Sequence, residues 1–321
     1  MKVTFHFLKK FSQLKNIGGN TFFILKQTIN ESIDDNVLKL SAALSYYTIF
    51  SLPPLLIVII SITGVFFGAD AVRGELFGQI NGLVGNAAAM QIQEAIKNVS
   101  LSKSNVFVTT LGLIILLIGA SGVFSEIQES LNFIWGIVAK PKRGVVKFIK
   151  NRLMSFSMIG SLGFLLLVGL VINSITDMLN NRLAARFPLD AFYLFHTINI
   201  IIMFGITTLL FALIFRTLPD GKIVLRDCII GASFTAFLFM IGKFAIGAYL
   251  GSSLIASVYG AAGSVILILV WVYYSAIILY FGAEFTKVYA ITHGDKIVPN
   301  EYSVILLKQQ IEIEPDAKLA N

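Results

Sequence analysis

Six stretches of the chain, about 41–67, 106–126, 153–175, 191–215, 228–250 and 264–286, are apolar over roughly the 20 residues an α-helix needs to cross a bilayer core of about 30 Å. In hydrocarbon every backbone amide and carbonyl must find its partner within the protein, so segments of this length and character span as helices. The sequence therefore predicts an all-α, polytopic membrane protein with six transmembrane helices. Composition agrees, since 56% of the 321 residues are hydrophobic and 13% charged, against about 45–50% and 25% in ordinary soluble domains. No single globular core could hide that much apolar surface in a 35.2 kDa chain.

An even number of spans puts both termini on one side. Of the 24 Lys and Arg outside the spans, 19 lie on the side of the termini and 5 on the other, so the positive-inside bias predicts cytoplasmic termini. Three regions follow: a cytoplasmic N-terminal segment, 1–36, a six-helix transmembrane domain, 37–290, and a cytoplasmic tail, 291–321, polar enough to be partly disordered. The first 40 residues carry six lysines and no apolar run ending in a small-residue cleavage site, so no cleaved signal peptide is expected. In the external loop, 69–105, Leu76, Ile80, Leu83 and Val84, then Met90, Ile92, Ala95, Ile96 and Val99, recur at helical spacing and predict short amphipathic helices.

The link 127–152 interleaves Phe133, Trp135 and Phe148 with Lys140, Lys142, Arg143, Lys147, Lys150 and Arg152. Beside two spans, that pattern suits a segment gripping acidic headgroups, so the formal charge of +7 points to membrane lipid and not to nucleic acid. Cys228 is the single cysteine, which excludes an internal disulfide, and His6, His196 and His293 are scattered. Neither a metal nor any other cofactor is expected.

Several residues resist a purely apolar reading. Pro53 and Pro54 remove two amide donors and disfavour helical geometry before them, so the first span is expected to break there. Ser45 and Tyr46 are among the hydroxyls just upstream. Such a break either lines a substrate path or is a static kink that shapes packing. Glu126, Glu284 and Lys243 place charge at or inside spans, where each needs an explanation. The two acids fall toward the cytoplasmic side near Arg152, Arg216 and Arg226, as structural ion pairs or as parts of a proton or substrate pathway. Lys243 either snorkels or binds an anionic group. Gly64 with Gly68 and Gly247 with Gly251 have the spacing of close helix contacts. The charge-free segment from Tyr249 past Tyr259 reads as a turn in the outer mouth. The candidate substrate-path residues are Ser45, Tyr46, Pro53, Pro54, Glu126, Lys243, Tyr249, Tyr259 and Glu284.

The pair Asp35-Asn36, followed by Ser41 through Pro54 (Ser-Ala-Ala-Leu-Ser-Tyr-Tyr-Thr-Ile-Phe-Ser-Leu-Pro-Pro), resembles the opening signature of the BrkB/YihY family of membrane proteins. Leu218-Pro219-Asp220, Gly231-Ala232, the segment Tyr259-Gly260-Ala261-Ala262-Gly263-Ser264 and the stretch from Trp271 to Glu284 resemble its C-terminal half. The resemblance implies a bacterial inner-membrane protein of six helices with cytoplasmic termini. Members have carried a ribonuclease label and have been associated with virulence, serum resistance and envelope lipids. The ribonuclease activity is rejected here, because the chain offers neither clustered metal ligands nor a soluble domain with a basic groove. It also lacks a GxxxxGK[ST] loop for ATP hydrolysis. A non-enzyme is expected: a transporter or flippase-like protein for a lipidic or amphipathic envelope substrate, or alternatively a membrane scaffold or accessory subunit of envelope assembly. The partners this admits are membrane lipids and either a second copy of the chain or an envelope-assembly protein, with no nucleic acid.

Overall fold

The computed structural model describes residues 21–67, 73–74, 77–78, 89–90, 93, 106–139, 189–252, 261–293, 297–301 and 303–305. The described chain opens with a helix that the span pattern did not announce, α1 (Thr21–Asp34). Ile24, Thr28, Glu31 and Asp35 recur along one side of it, and Ile24, Thr28 and Asp35 are buried there. Asn36 turns the chain at φ 54°, a left-handed conformation that asparagine tolerates better than most residues. Its carbonyl then accepts the Lys39 and Leu40 amides at the start of the next helix.

That helix, α2 (Val37–Phe67), contains the first apolar stretch. It does not break. It runs as one element through Pro53 and Pro54, which overturns the expectation of a broken first span. Two adjacent prolines remove the bonds to the carbonyls four residues earlier and crowd those carbonyls, and packing on the next helix keeps the rest of the ladder in line. Pro54 lies against Gly119 and Ser51 against Gly122 of the next helix, so close that a Cβ on those glycines would stand 3.1 Å from Pro54 Cγ and 2.7 Å from Ser51 Oγ. The hydroxyls upstream serve their own turns: Ser41, Ser45 and Thr48 donate to the carbonyls of Val37, Ala42 and Leu44.

The facing helix is α3 (Val106–Ile134). It ends at Trp135 and Gly136, whose φ of 66° needs glycine, and leads into β1 (Ile137–Ala139). After a gap in the description come α4 (Leu189–Thr217), β2 (Gly221–Lys222), α5 (Leu225–Ser252) and α6 (Ala261–Thr292), then β3 (Val298–Pro299) and β4 (Ser303–Ile305). Within α4, α5 and α6, the segments Ile200–Thr217, Leu225–Lys243 and Val265–Thr292 are long and apolar enough to cross a membrane. The predicted stretch 153–175 lies outside the described residues, as does most of the external loop, of which residues 73–74, 77–78, 89–90 and 93 are helical.

α2 packs on α3 and α6, α5 packs on α4 and α6, and α1 lies on α6. Their shared core includes Leu44, Phe124, Leu131, Phe215, Ala232 and Tyr280. Where α5 crosses α6, two Gly-Thr pairs interlock. Thr286 covers Gly231 and Thr235 covers Gly282, and a Cβ on either glycine would collide with the opposing threonine. Each threonine hydroxyl donates to the carbonyl of the glycine four residues before it on its own helix, which brings the two backbones together without stranding a polar group. Gly64, Gly68, Gly247 and Gly251 have no described surroundings.

The tail is partly ordered. β4 pairs antiparallel with β1, Ile305 opposite Ile137, and β3 pairs with β2, Pro299 opposite Gly221. The chain after the last helix thus returns to the ends of α3 and α4.

Candidate functional site

Four charged side chains meet where α1 turns into α2, beside the last turns of α3 and α6. Lys287 of α6 places its Nζ 2.8 Å from Glu284, one turn earlier, and 3.2 Å from both Glu31 and Asp35. It also donates to the carbonyl of Ile134 at 2.9 Å, so the ammonium sits on the negative end of the α3 dipole and occupies a carbonyl that the helix end leaves open. Glu284 is wholly buried and the other three nearly so. The arrangement ties α1, the turn that follows it, α3 and α6 together and gathers three carboxylates around one cation.

A second polar centre lies nearby in the fold, built on Asp220 in the turn between α4 and β2. Gln128 and Asn132 of α3 donate to its carboxylate at 3.4 and 3.0 Å, and its carbonyl accepts the Asn300 amide and the Ser303 hydroxyl at 2.8 and 2.7 Å. Arg216, at the end of α4, donates to the carbonyl of Ile223 at 2.7 Å, and Trp135 donates to the carbonyl of Ala283 at 3.3 Å. These contacts are structural, since each buried polar group is matched to a partner across elements.

The residues singled out in the sequence separate. Glu284 is in the cluster, and its ion-pair partner among the described residues is Lys287; Arg226 is exposed on α5 and Arg152 is outside the described residues. Glu126 is partly buried on α3 and is not among the cluster's carboxylates. Ser45 and Tyr46 separate on α2: Ser45 is buried, whereas Tyr46 is 61% exposed, with Tyr47 and Phe50 beside it. Tyr46 meets Tyr47 and Phe50 edge on, with ring centroids 5.8 and 5.0 Å apart. Pro53 and Pro54 lie in α2, Pro54 against α3. Lys243 is exposed on α5, Tyr249 falls in the last turn of that helix, and Tyr259 is outside the described residues.

Sequence reasoning passed over Glu31 and Lys287 and treated Asp35 only as part of a motif. Their spacing held a signal: Glu31 and Asp35 are one turn apart, as are Glu284 and Lys287, the pattern of neighbours on a helix face.

The family model described as Virulence factor BrkB matches residues 28–302, most of the chain. A UPF0761 membrane protein of Saccharophagus degradans is 26% identical over 81% of this chain and 58% of its own length. Another UPF0761 membrane protein, from Acinetobacter baylyi, is 26% identical over 87% of this chain and 64% of its own. A Bacillus subtilis protein named putative ribonuclease-like protein YfkH is 28% identical over 81% of this chain and 92% of its own. The chain thus spans about three fifths of the first two relatives. No solved structure matches it. The chain belongs to the Virulence factor BrkB family and is a membrane protein.

Proposed function

We propose that this BrkB-family membrane protein moves a lipidic or amphipathic envelope substrate across the bacterial inner membrane along the outward aromatic face of α2. One observation carries the reading: Tyr46 and Tyr47 are exposed about 14 Å along α2, inside its apolar stretch, with exposed Phe50 a turn further on. Tyrosine is ordinarily enriched at headgroup level, where its hydroxyl meets water. Phenols that face outward within an apolar segment suit a substrate that brings a polar headgroup and an acyl chain together. Lys243, exposed on α5, supplies a cation for an acidic headgroup, and Glu126, Tyr249 and Tyr259 are further candidates along the path. The distribution of basic residues among the loops supports a multi-pass inner-membrane placement with both termini in the cytoplasm.

The test is lipid movement in vesicles containing the purified full chain and a phosphatidylglycerol labelled on its acyl chain, with quenching of the accessible label by dithionite. The wild type should expose inner-leaflet label faster than protein-free vesicles do. Tyr46→Leu combined with Tyr47→Leu should slow that exposure while preserving yield. A wild type indistinguishable from empty vesicles overturns transport and favours the scaffold reading, in which the aromatic face holds an envelope-assembly partner or a second copy.

A further inference from the structure

The exposed side of α1 is apolar, although this helix lies outside all six apolar stretches. At about 100° per residue, Phe22, Lys26, Ile29 and Ile33 fall within about 60° of one another. They stand opposite the side formed by Ile24, Thr28, Glu31 and Asp35, which meets α6. Phe22 is 74% exposed, Ile29 50% and Ile33 68%, with Lys26 exposed among them. Asn30 and Asp34, also exposed, make a polar flank between the two sides. A surface helix of a soluble domain buries its apolar stripe and turns polar residues outward, whereas α1 carries apolar residues on both sides. Exposed apolar positions continue past the turn at Leu38, and exposed Ala42, Tyr46 and Phe50 follow it in four-residue steps into the first apolar stretch.

The seat of α1 places it beside the bilayer. Ile24 shares a packed cluster with Phe285 and Val288, in the segment Val265–Thr292 that is long and apolar enough to cross a membrane. The 28 residues of that segment extend about 42 Å, against a hydrocarbon core of about 30 Å, so the final turns that hold α1 come out at headgroup level. Charge identifies the lipid. Residues 1–30 contain five lysines, Lys2, Lys9, Lys10, Lys15 and Lys26, and neither aspartate nor glutamate, which complements anionic headgroups. We propose that α1 is an interfacial helix whose outer stripe docks on the anionic lipid surface beside α6. Phe22, Ile29 and Ile33 enter the boundary of headgroups and acyl chains, Lys26 extends along its stem to a phosphate, and Asn30 and Asp34 stay in water. The same helix carries Glu31 to Lys287, so lipid on one side and the charge cluster on the other hold it in place. The docking does not depend on the transport reading, because it is measured without any lipid movement.

The experiment places a nitroxide on Ile29→Cys, Ile33→Cys or Asn30→Cys, one at a time, in the full chain carrying Cys228→Ala. All three labelled positions are exposed, so the label displaces no packed side chain. The protein is held in vesicles of phosphatidylcholine with phosphatidylglycerol, and electron paramagnetic resonance compares collisions with oxygen, which concentrates in lipid, and with a water-soluble nickel chelate. The ratio of oxygen to nickel collisions should be higher at 29 and 33 than at 30. Lys26→Gln, or vesicles of phosphatidylcholine alone, should lower the ratio at 29 and 33 and leave it unchanged at 30. Equal ratios at all three positions overturn the docking, because the stripe then faces water. Few collisions with either reagent at 29 and 33 overturn it too, assigning the stripe to protein, such as a second copy of the chain. A high ratio at 29 and 33 that answers neither to Lys26→Gln nor to phosphatidylglycerol overturns the choice of anionic lipid.

Discussion

Asn132 grips Asp220 at both ends: its side-chain Nδ2 donates to the Asp220 carboxylate at 3.0 Å, and its Oδ1 accepts the Asp220 backbone amide at 2.8 Å. One amide side chain thus matches a donor to an acceptor and an acceptor to a donor, 88 residues away in the chain. Replacing Asn132 with Leu removes two of the hydrogen bonds of buried Asp220, leaving Gln128 on its carboxylate, and should lower stability by about 1–3 kcal/mol. A detergent melting curve on purified protein reads this, and an unchanged midpoint would show that water replaces the amide at no cost.

Lys287 holds three acids and the end of a helix. Lys287→Met keeps most of the side-chain volume but strands Glu284 in the interior, and breaking a buried pair in this way costs about 3–5 kcal/mol in soluble proteins. The expected result is a large fall in yield or melting temperature. Adding Glu284→Gln to Lys287→Met should recover part of the loss, since the stranded charge is then gone. Recovery absent in the double variant would mean that the lysine acts mainly through Ile134.

The crossing of α5 and α6 is expected to be non-additive. Gly282→Ala drives a methyl into Thr235 and should cost about 1–3 kcal/mol by overpacking. Thr235→Ala removes the obstructing hydroxyl and methyl, so the pair Gly282→Ala with Thr235→Ala should be more stable than Gly282→Ala alone. A double-mutant cycle on melting measures the coupling, which contacting residues commonly show at about 0.5–3 kcal/mol. A cycle that closes at zero would place the two helices further apart than described.

Orientation can be read with single cysteines, because buried Cys228 is the sole native thiol and is readily replaced. A cysteine at Lys97 should react with an impermeant maleimide added outside cells, and one at Lys142 should react only after lysis. The reverse pattern would invert the topology.

The long helices were legible because length and apolarity alone announce them, as the agreement of stretches 41–67, 106–126, 191–215, 228–250 and 264–286 with α2 to α6 illustrates, three of which hold segments long and apolar enough to cross a membrane. The proline pair misled for a local reason. Two missing amides predict a break, but tight packing of Pro54 and Ser51 on Gly119 and Gly122 outweighs that preference, and no pattern within one helix announces such a contact. The charge cluster was hidden by a boundary. Ending the last span at 286 left Lys287 just outside it, whereas α6 continues to Thr292. Its partner Asp35 is 252 residues distant in sequence, a separation at which one sequence carries no pairing signal. Charged α1 was overlooked because its buried side mixes Ile24 and Thr28 with acids, which weakens the apolar periodicity used to find helices.

The return of β3 and β4 to the ends of α4 and α3 also orders events in time. Asp220 and β1 emerge from the ribosome long before residues 297–305, so their partners do not yet exist while the helices between them are being inserted. Until residues 297–305 are made, the Asp220 carbonyl and the edge of β1 must be satisfied by water. Closure of this short belt therefore waits on residues 297–305, and a nascent protein stalled before them would display an open strand edge to whatever surveys the membrane surface.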